Sequence, residues 1–408
     1  MEASRGDKTI CLPFESEKHY NSCMRDAKRF RQTLTELYNR HPELFPTRFG
    51  EGFSIDDKRV SERQQLAIRR IELHATKEKF SVRPSFMLPY MTATTEEVEK
   101  GLFLRRWGVP YDALAYVFGR PASFWYRAEM SLGRPSIVGT TVKTPERLPD
   151  HIAADEKHTE LRGSKVFVPT VVGAGCILGA TLTASADSVA LEAAYGEFAR
   201  EARELAPSYS PKSVCTDGWE ATQKAFKALF DDICVILCFL HSILKISERC
   251  ARNTAVRFEV LDKAWAVYKA ETRITFAQRV RRLREWAEAK LPDGGLKHAV
   301  LKLCAKKAQF LKAYDHPRAH RTSNAVDRLI NHLDRRLFAM RKLHGTLQSG
   351  RLAVRALALQ WNFHPYGPRL RSVDSQRRSP FHDLNGFEYH HNWLHNLLIA
   401  ASMGGRRL

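Results

Sequence analysis

No stretch of this 408-residue chain reaches the roughly 18 consecutive apolar residues that a membrane-spanning helix requires. The opening residues, MEASRGDKTICLPFESEKHY, mix charges and lack the apolar segment of a signal peptide. The eight cysteines (11, 23, 176, 215, 234, 238, 250 and 304) form no paired CxxC clusters, so neither a disulfide scaffold nor a zinc ribbon is expected. Internal repeats and low-complexity segments are missing as well. A soluble intracellular chain follows as the expectation, and the 44% apolar content supports packed cores in two or three domains. Acidic residues are also in short supply: 45 Asp and Glu against 65 Lys and Arg leave a formal charge of +20. Such a field favours a polyanionic partner through counterion release, although charge alone does not choose DNA over RNA.

Residues 1–91 read as a basic accessory region. Helical spacing is expected over 16–40 (Tyr20, Met24, Phe30, Leu34, Leu37) and over 61–80, around a loop marked by Pro46, Gly50, Gly52 and Asp56-Asp57. Residues 92–133 carry three short helices. Thr92 or Thr94 caps the first, and Glu96 and Glu97 occupy its first turn. The second opens at Pro110 with Ala113, Leu114, Val117 and Phe118 inward, and Gly119-Arg120 breaks it before Pro121 starts the third. This pattern fits a helix-turn-helix DNA-binding domain, with a purely structural bundle as the alternative. Ser123, Tyr126 and Arg127, with Glu129 as a further candidate, are then expected to face the major groove, and Phe124, Trp125 and Met130 to pack inward or against the backbone. Residues 134–150 read as a linker.

From 151 to 242 strands and helices alternate. HIAAD (151–155), KVFVPTVV (165–172) and CILGATLTA (176–184) suggest an antiparallel meander, followed by a helix at about 187–205 with Val189, Ala193, Phe198 and Leu205 buried. KSVCTD is then a strand ending in Asp217, residues 219–230 a helix, and residues 232–242 another strand. Three strands, helix, strand, helix, strand is the connectivity of an α/β RNase H-like core with a mixed five-stranded sheet. Residues 243–320 read as an all-helical insertion broken at Pro292–Gly295, and 321–408 as the final core helix and a tail. That final helix, capped by Thr322 or Ser323, turns Val326, Leu329, Ile330, Leu333 and Leu337 inward and Asn324, Asp327, Asn331 and Asp334 outward.

Asp155, Asp217 and Asp327 therefore fall at two strand ends and a helix start. Phosphodiester cleavage and strand transfer need an oxygen nucleophile activated and a departing oxygen stabilised, which two Mg²⁺ ions roughly 3.5–4 Å apart perform together. Three carboxylates plus water and phosphate suffice for such ions. Glu156, on the next strand position, points to the other side and is expected to be solvated or hydrogen-bonded. Cys238-x-x-His241 follows Asp217, with no second pair to complete a zinc site. Cys238 is expected in a buried strand, Trp219 in the core rather than as a base-stacking wedge, and the histidine-rich end (His382, His390, His391, His395) in a structural role. The arginine run 278–286 is open to two readings, a phosphate track or a solvated helix face.

The order Asp155, Asp217, Cys238-Phe-Leu-His241, a helical insertion and Ser323-Asn-Ala-Val-Asp327-Arg resembles the DDE/D transposases of the Mutator-like superfamily and related bacterial insertion-sequence transposases. The resemblance covers about 150–345. It implies a transposase that binds the ends of a mobile DNA element and cuts and joins DNA with Mg²⁺, or Mn²⁺ in its place, at Asp155, Asp217 and Asp327. Cys238 and His241 would be accessory. Element ends and target DNA would be its partners, a homo-oligomer on DNA its working form, and the bacterial nucleoid or the eukaryotic nucleus its location. Most relatives carry Glu at the third position, so Asp334 stands as a rival to Asp327. The alternatives are a domesticated non-cleaving DNA-binding protein and an RNase H-like nuclease without strand transfer.

Overall fold

The structure, a computed structural model, describes residues 8–406 apart from Glu15, Arg63, Tyr90, 251–253, Ser323 and Arg341. The chain is mixed α/β, with one mixed sheet of four strands, one of five, and many helices. Among the described residues no helix is long and apolar enough to cross a membrane.

Strand β1 (Thr9–Leu12), helices α1 (Glu17–Arg25) and α2 (Ala27–Arg40), and strands β2 (Phe53–Ser61), β3 (Leu66–Leu73) and β4 (Lys79–Pro84) build the first sheet, in the order β1-β4-β3-β2. The helices expected over 16–40 form, but 61–80 is extended, and the end of the expected loop through Asp57 belongs to β2. Charge density misled there. Leu66, Ile71 and Leu73 face the core, whereas Arg69 donates to the carbonyl of Met24 and Arg70 pairs with Asp56 and Asp57. Charges paired across strands and β-branched neighbours suit a pleated surface better than a helix.

Helix α3 (Thr95–Arg105) begins with a capping box: Glu97 N–H donates to the Thr94 hydroxyl (3.2 Å) and Thr94 N–H to the Glu97 carboxylate (2.9 Å). Helix α4 (Tyr111–Phe118) stops at Gly119, whose φ of +68° is a left-handed turn that a side chain would strain. Helix α5 (Ala122–Ser131) then buries Phe124, Trp125 and Met130 as expected. Val117 of α4 is exposed rather than inward, because Phe118 takes the place beside Trp125, ring centroids 5.4 Å apart. Glu129 also departs from its expected groove-facing position and is buried. Its carboxylate accepts from Arg105 Nε (2.8 Å), Tyr111 OH (2.6 Å) and Gln360 Nε2 (3.0 Å), and pairs with Arg336. The expected linker holds a short helix, α6 (Ile137–Thr141), whose first two backbone N–H groups donate to the Glu201 carboxylate.

The second sheet follows the expected element order. Strands β5 (His151–Leu161), β6 (Ser164–Gly173) and β7 (Cys176–Ala180) form the antiparallel meander, α7 (Ser188–Leu205) crosses over, and β8 (Ser213–Thr216), α8 (Glu220–Leu229) and β9 (Cys234–Leu237) complete the order β7-β6-β5-β8-β9. Strands β5, β8 and β9 run parallel. The buried face of α7 is Leu191, Tyr195, Phe198 and Ala202, not the one through Val189 and Ala193; Val189 is exposed. The strand expected to continue to residue 242 ends at Leu237, and Cys238 caps a helix, α9 (Phe239–Arg249). A short apolar run does not by itself distinguish a buried strand from a buried helix, and here Phe239, Ile243 and Ile246 are buried at helical spacing.

Helices α10 (Thr254–Tyr268), α11 (Arg273–Lys290), α12 (Gly295–Ala305) and α13 (Lys307–Leu311) form the helical insertion around Phe239, Phe276, Leu283 and Phe310. Helix α14 (Asn324–Ala339) lays Val326, Leu329, Leu333 and Leu337 toward β5 and β6. The candidate cap Ser323 lies outside the described residues. Helices α15 (Leu347–Phe363), α16 (Pro368–Val373), α17 (Pro380–Asn385) and α18 (Trp393–Ala400) end the chain, and α15 and α18 are largely buried. Leu394 and Leu397 join the core shared by α3, α5 and the second sheet, while Ile399 and Met403 join the core of the first.

Removing the Glu129 carboxylate leaves Arg105 and Arg336, each at most 2% exposed, without their counter-charge. Glu129→Ala should lower the free energy of unfolding by about 3–5 kcal/mol. Urea unfolding measures this, and a change under about 0.5 kcal/mol would show that the pairing is not structural.

Candidate active site

Register places the first two aspartates. The last parallel pair between β5 and β8 is Ala153 with Cys215, so Asp155 and Asp217 each lie two residues further along neighbouring strands. Strand β5 does not end at Asp155 as expected. It continues to Leu161 paired with β6, while β8 stops at Thr216, so Asp155 stands at the step where the sheet narrows. Asp217 leads a tight turn in which its carboxylate accepts from Trp219 N–H (2.7 Å). Gly218 between them has φ +98°, and a Cβ there would lie 2.5 Å from Leu237, so this turn requires glycine.

The third aspartate arrives by way of the insertion. Phe239 N–H, at the start of α9, donates to the carbonyl of Arg321 (3.1 Å), so the chain leaves β9 and returns to the same point. Helix α14 then starts beside the strand ends, with Asp327 in its first turn. Asp334, two turns on, forms an ion pair with Lys157 of β5 (2.9 Å).

Electrostatics tie these groups together. Burial, and then the charges of Asp217 and Asp327, push the Asp155 carboxyl up to about 6, against a hydrogen bond from Glu156 N–H and the nearby His241. His241, in the first turn of α9, is held up at about 9 by its hydrogen bond with Cys238 and by the charges of Asp155 and Asp217. Cys238 also contacts the Cys215 thiol, which is pushed well up by that contact and by burial. The structure thus brings Asp155, Asp217, Asp327, Cys238 and His241 within electrostatic reach of one another, with Cys238 at a strand-to-helix junction rather than inside a strand.

Glu156 faces the other side of β5, hydrogen-bonded by Tyr195 OH (2.5 Å) and the Thr222 hydroxyl (2.6 Å), and burial raises its carboxyl to about 7. A lysine from the insertion also approaches the site. Lys306 is pushed down by burial and by its neighbours Lys245 and Lys302, with Asp217 opposing, so Lys306 stands within electrostatic reach of that aspartate and carries two further cations near it. They come from separate helix positions, and no local motif announces them. Trp219, expected in the core, is 39% exposed. Ser123, Tyr126 and Arg127 are exposed on α5, where Arg127 Nε donates to the carbonyl of Ser123. In the arginine run, Arg281 pairs with Glu285 and Arg284 with Glu288 along the surface of α11.

Among the described residues no three His, Cys, Asp or Glu side chains are gathered closely enough to hold an ion by themselves. The donor chemistry of the three aspartates fits magnesium: all are hard oxygens, and the charges of two raise the third, a repulsion that a divalent cation relieves. No protein-family model matches this sequence, and no curated protein is significantly similar to it.

The Asp155 and Glu156 carboxyls bind protons more tightly in the folded chain than in the unfolded one. Their contribution to stability is therefore present at about pH 4 and lost as pH rises through about 6 and 7. In metal-free buffer Asp155→Asn should stabilise the chain at about pH 7.5 by roughly 1–3 kcal/mol and change it little at about pH 4. Unfolding titrations at both pH values test this, and equal stability of the two proteins at the higher pH would remove the electrostatic strain assigned to Asp155.

Proposed function

We propose that this chain is a transposase of the DDE/D kind with an RNase H-like core, similar to the Mutator-like superfamily and its insertion-sequence relatives. The carrying observation is the approach of Asp155, Asp217 and the first turn of α14, with Asp327, at one end of the parallel strands. Asp155, Asp217 and Asp327 would hold magnesium, or manganese in its place, which supplies Lewis-acid activation of the attacking oxygen and of the scissile phosphate. His241 places positive charge beside these acids, and Lys245, Lys302 and Lys306 draw the DNA backbone to them. Water attacks first, freeing a 3′ hydroxyl at the element end, and that hydroxyl attacks target DNA in the second step. Ser123, Tyr126 and Arg127 on α5 read the ends as the exposed face of a helix-turn-helix, and a homo-oligomer brings two ends together.

This reading requires inverted repeats on either side of the coding region, and duplexes carrying them are the substrate for the test. Asp217→Asn and Asp327→Ala should each reduce end cleavage and strand transfer by at least about a hundredfold while sparing end binding. Asp334→Ala should retain metal-dependent activity at a reduced level, since its carboxylate is engaged by Lys157. A dead Asp334→Ala beside an active Asp327→Ala would reverse the assignment of the third acid. Cleavage without joining would favour a nuclease. On the same duplexes Arg127→Ala should weaken end binding and reduce the slope of log affinity against log salt by about one if it contacts a phosphate; an unchanged affinity and slope would take α5 out of the interface.

A further inference from the structure

Trp219 sits two residues beyond Asp217, tied to that carboxylate by its own backbone N–H (2.7 Å), and keeps 39% of its surface exposed. Phe167, from β6, meets it edge to face with ring centroids 6.2 Å apart, and the Lys165 ammonium lies 5.1 Å from the centre of the Phe167 ring. Lys306 also approaches this turn, its Nζ 4.0 Å from the place a Cβ on Gly218 would take, and it is coupled to Asp217 and to Lys245 and Lys302. Two aromatic rings, the Asp217 carboxylate and the lysines Lys165 and Lys306 are thus linked by contacts at the candidate site.

We infer that Trp219, supported by Phe167, stacks on the unpaired base of a nucleotide next to the scissile phosphate, so that the site takes a locally single-stranded DNA end. Lysines track the phosphates and the rings take the base, the combination by which proteins bind single strands. A tryptophan needed only for the core would be covered. This one is held beside the acids by a glycine turn that also fixes Asp217, so an enzyme that positions the phosphate positions the base with it. The inference rests on the proposed nucleic-acid chemistry of the site, and separates from it in the following experiment.

The full-length chain is mixed, without divalent metal, with a single-stranded oligothymidylate carrying one iododeoxyuridine, and with the same strand in a duplex. Irradiation should crosslink the single strand to Trp219, located by mass spectrometry of the peptides, and should do so less with the duplex. Trp219→Ala should weaken single-strand affinity about tenfold, and Trp219→Phe should recover most of it. The salt dependence should persist in both variants, since it belongs to the lysines. If the wild-type chain binds the strand with strong salt dependence yet crosslinks elsewhere, or if Trp219→Ala binds equally well, the stacking role is wrong and the nuclease-type reading stands. If the wild-type chain binds neither nucleic acid, both fall together.

Discussion

The buried carboxylate of Glu129 is the contact on which the arrangement of the chain turns. It receives Arg105 from α3, Tyr111 from α4, Gln360 from α15 and Arg336 from α14, and burial makes each of these partners costly to remove. Burial alone would raise this carboxyl, but Arg336 and Arg105 reverse the effect and hold it below the usual range. The consequence is geometric. Helix α5, whose exposed side carries Ser123, Tyr126 and Arg127, is locked to the helix that carries Asp327, so the proposed reading surface and the third acid belong to one rigid cluster. The same apolar core runs beneath both, taking in Trp125, Ala153, Cys215, Val326 and Leu394.

The second constraint is the step in the five-stranded sheet. A strand that continues past its parallel neighbour exposes one edge of its backbone and leaves a notch, and here the notch is where Asp155 and Asp217 stand side by side. The helical insertion would otherwise separate Asp327 from them by a long loop. The hydrogen bond between Phe239 N–H and the Arg321 carbonyl closes that excursion at its base, so the insertion adds its own core and its lysines without moving the third acid away. Charge of both signs meets here: the imidazole of His241 is coupled to Asp155 and Asp217 and the ammonium of Lys306 to Asp217, while Glu156 is set apart on the other face and satisfied by two hydroxyls.

Much of this was legible in the residues. The strands of the second sheet, a threonine cap at Thr92 or Thr94, the apolar side of α14, the break at Pro292–Gly295 and the outward Ser123, Tyr126 and Arg127 of α5 follow from periodicity, turn chemistry and capping, which act over a few residues and are written in neighbouring positions. What failed had non-local causes. The first sheet was hidden because Arg69 and Arg70 look helical until their partners Met24, Asp56 and Asp57 are known. The switch from strand to helix at Cys238 was hidden because an apolar run is equally at home in either.

The sequence by itself determined the local elements and the chain order Asp155, Asp217, Cys238, His241, Asp327, since these depend on residue type and spacing. Only the tertiary structure decided that Glu129 is an interior ion-pair hub, that Asp334 is engaged by Lys157, that Trp219 stays open to solvent, and that Lys306, with Lys245 and Lys302 near it, reaches Asp217. Each of these depends on which distant segments approach one another, and therefore on burial and charge pairing summed over the whole chain rather than on any window of it.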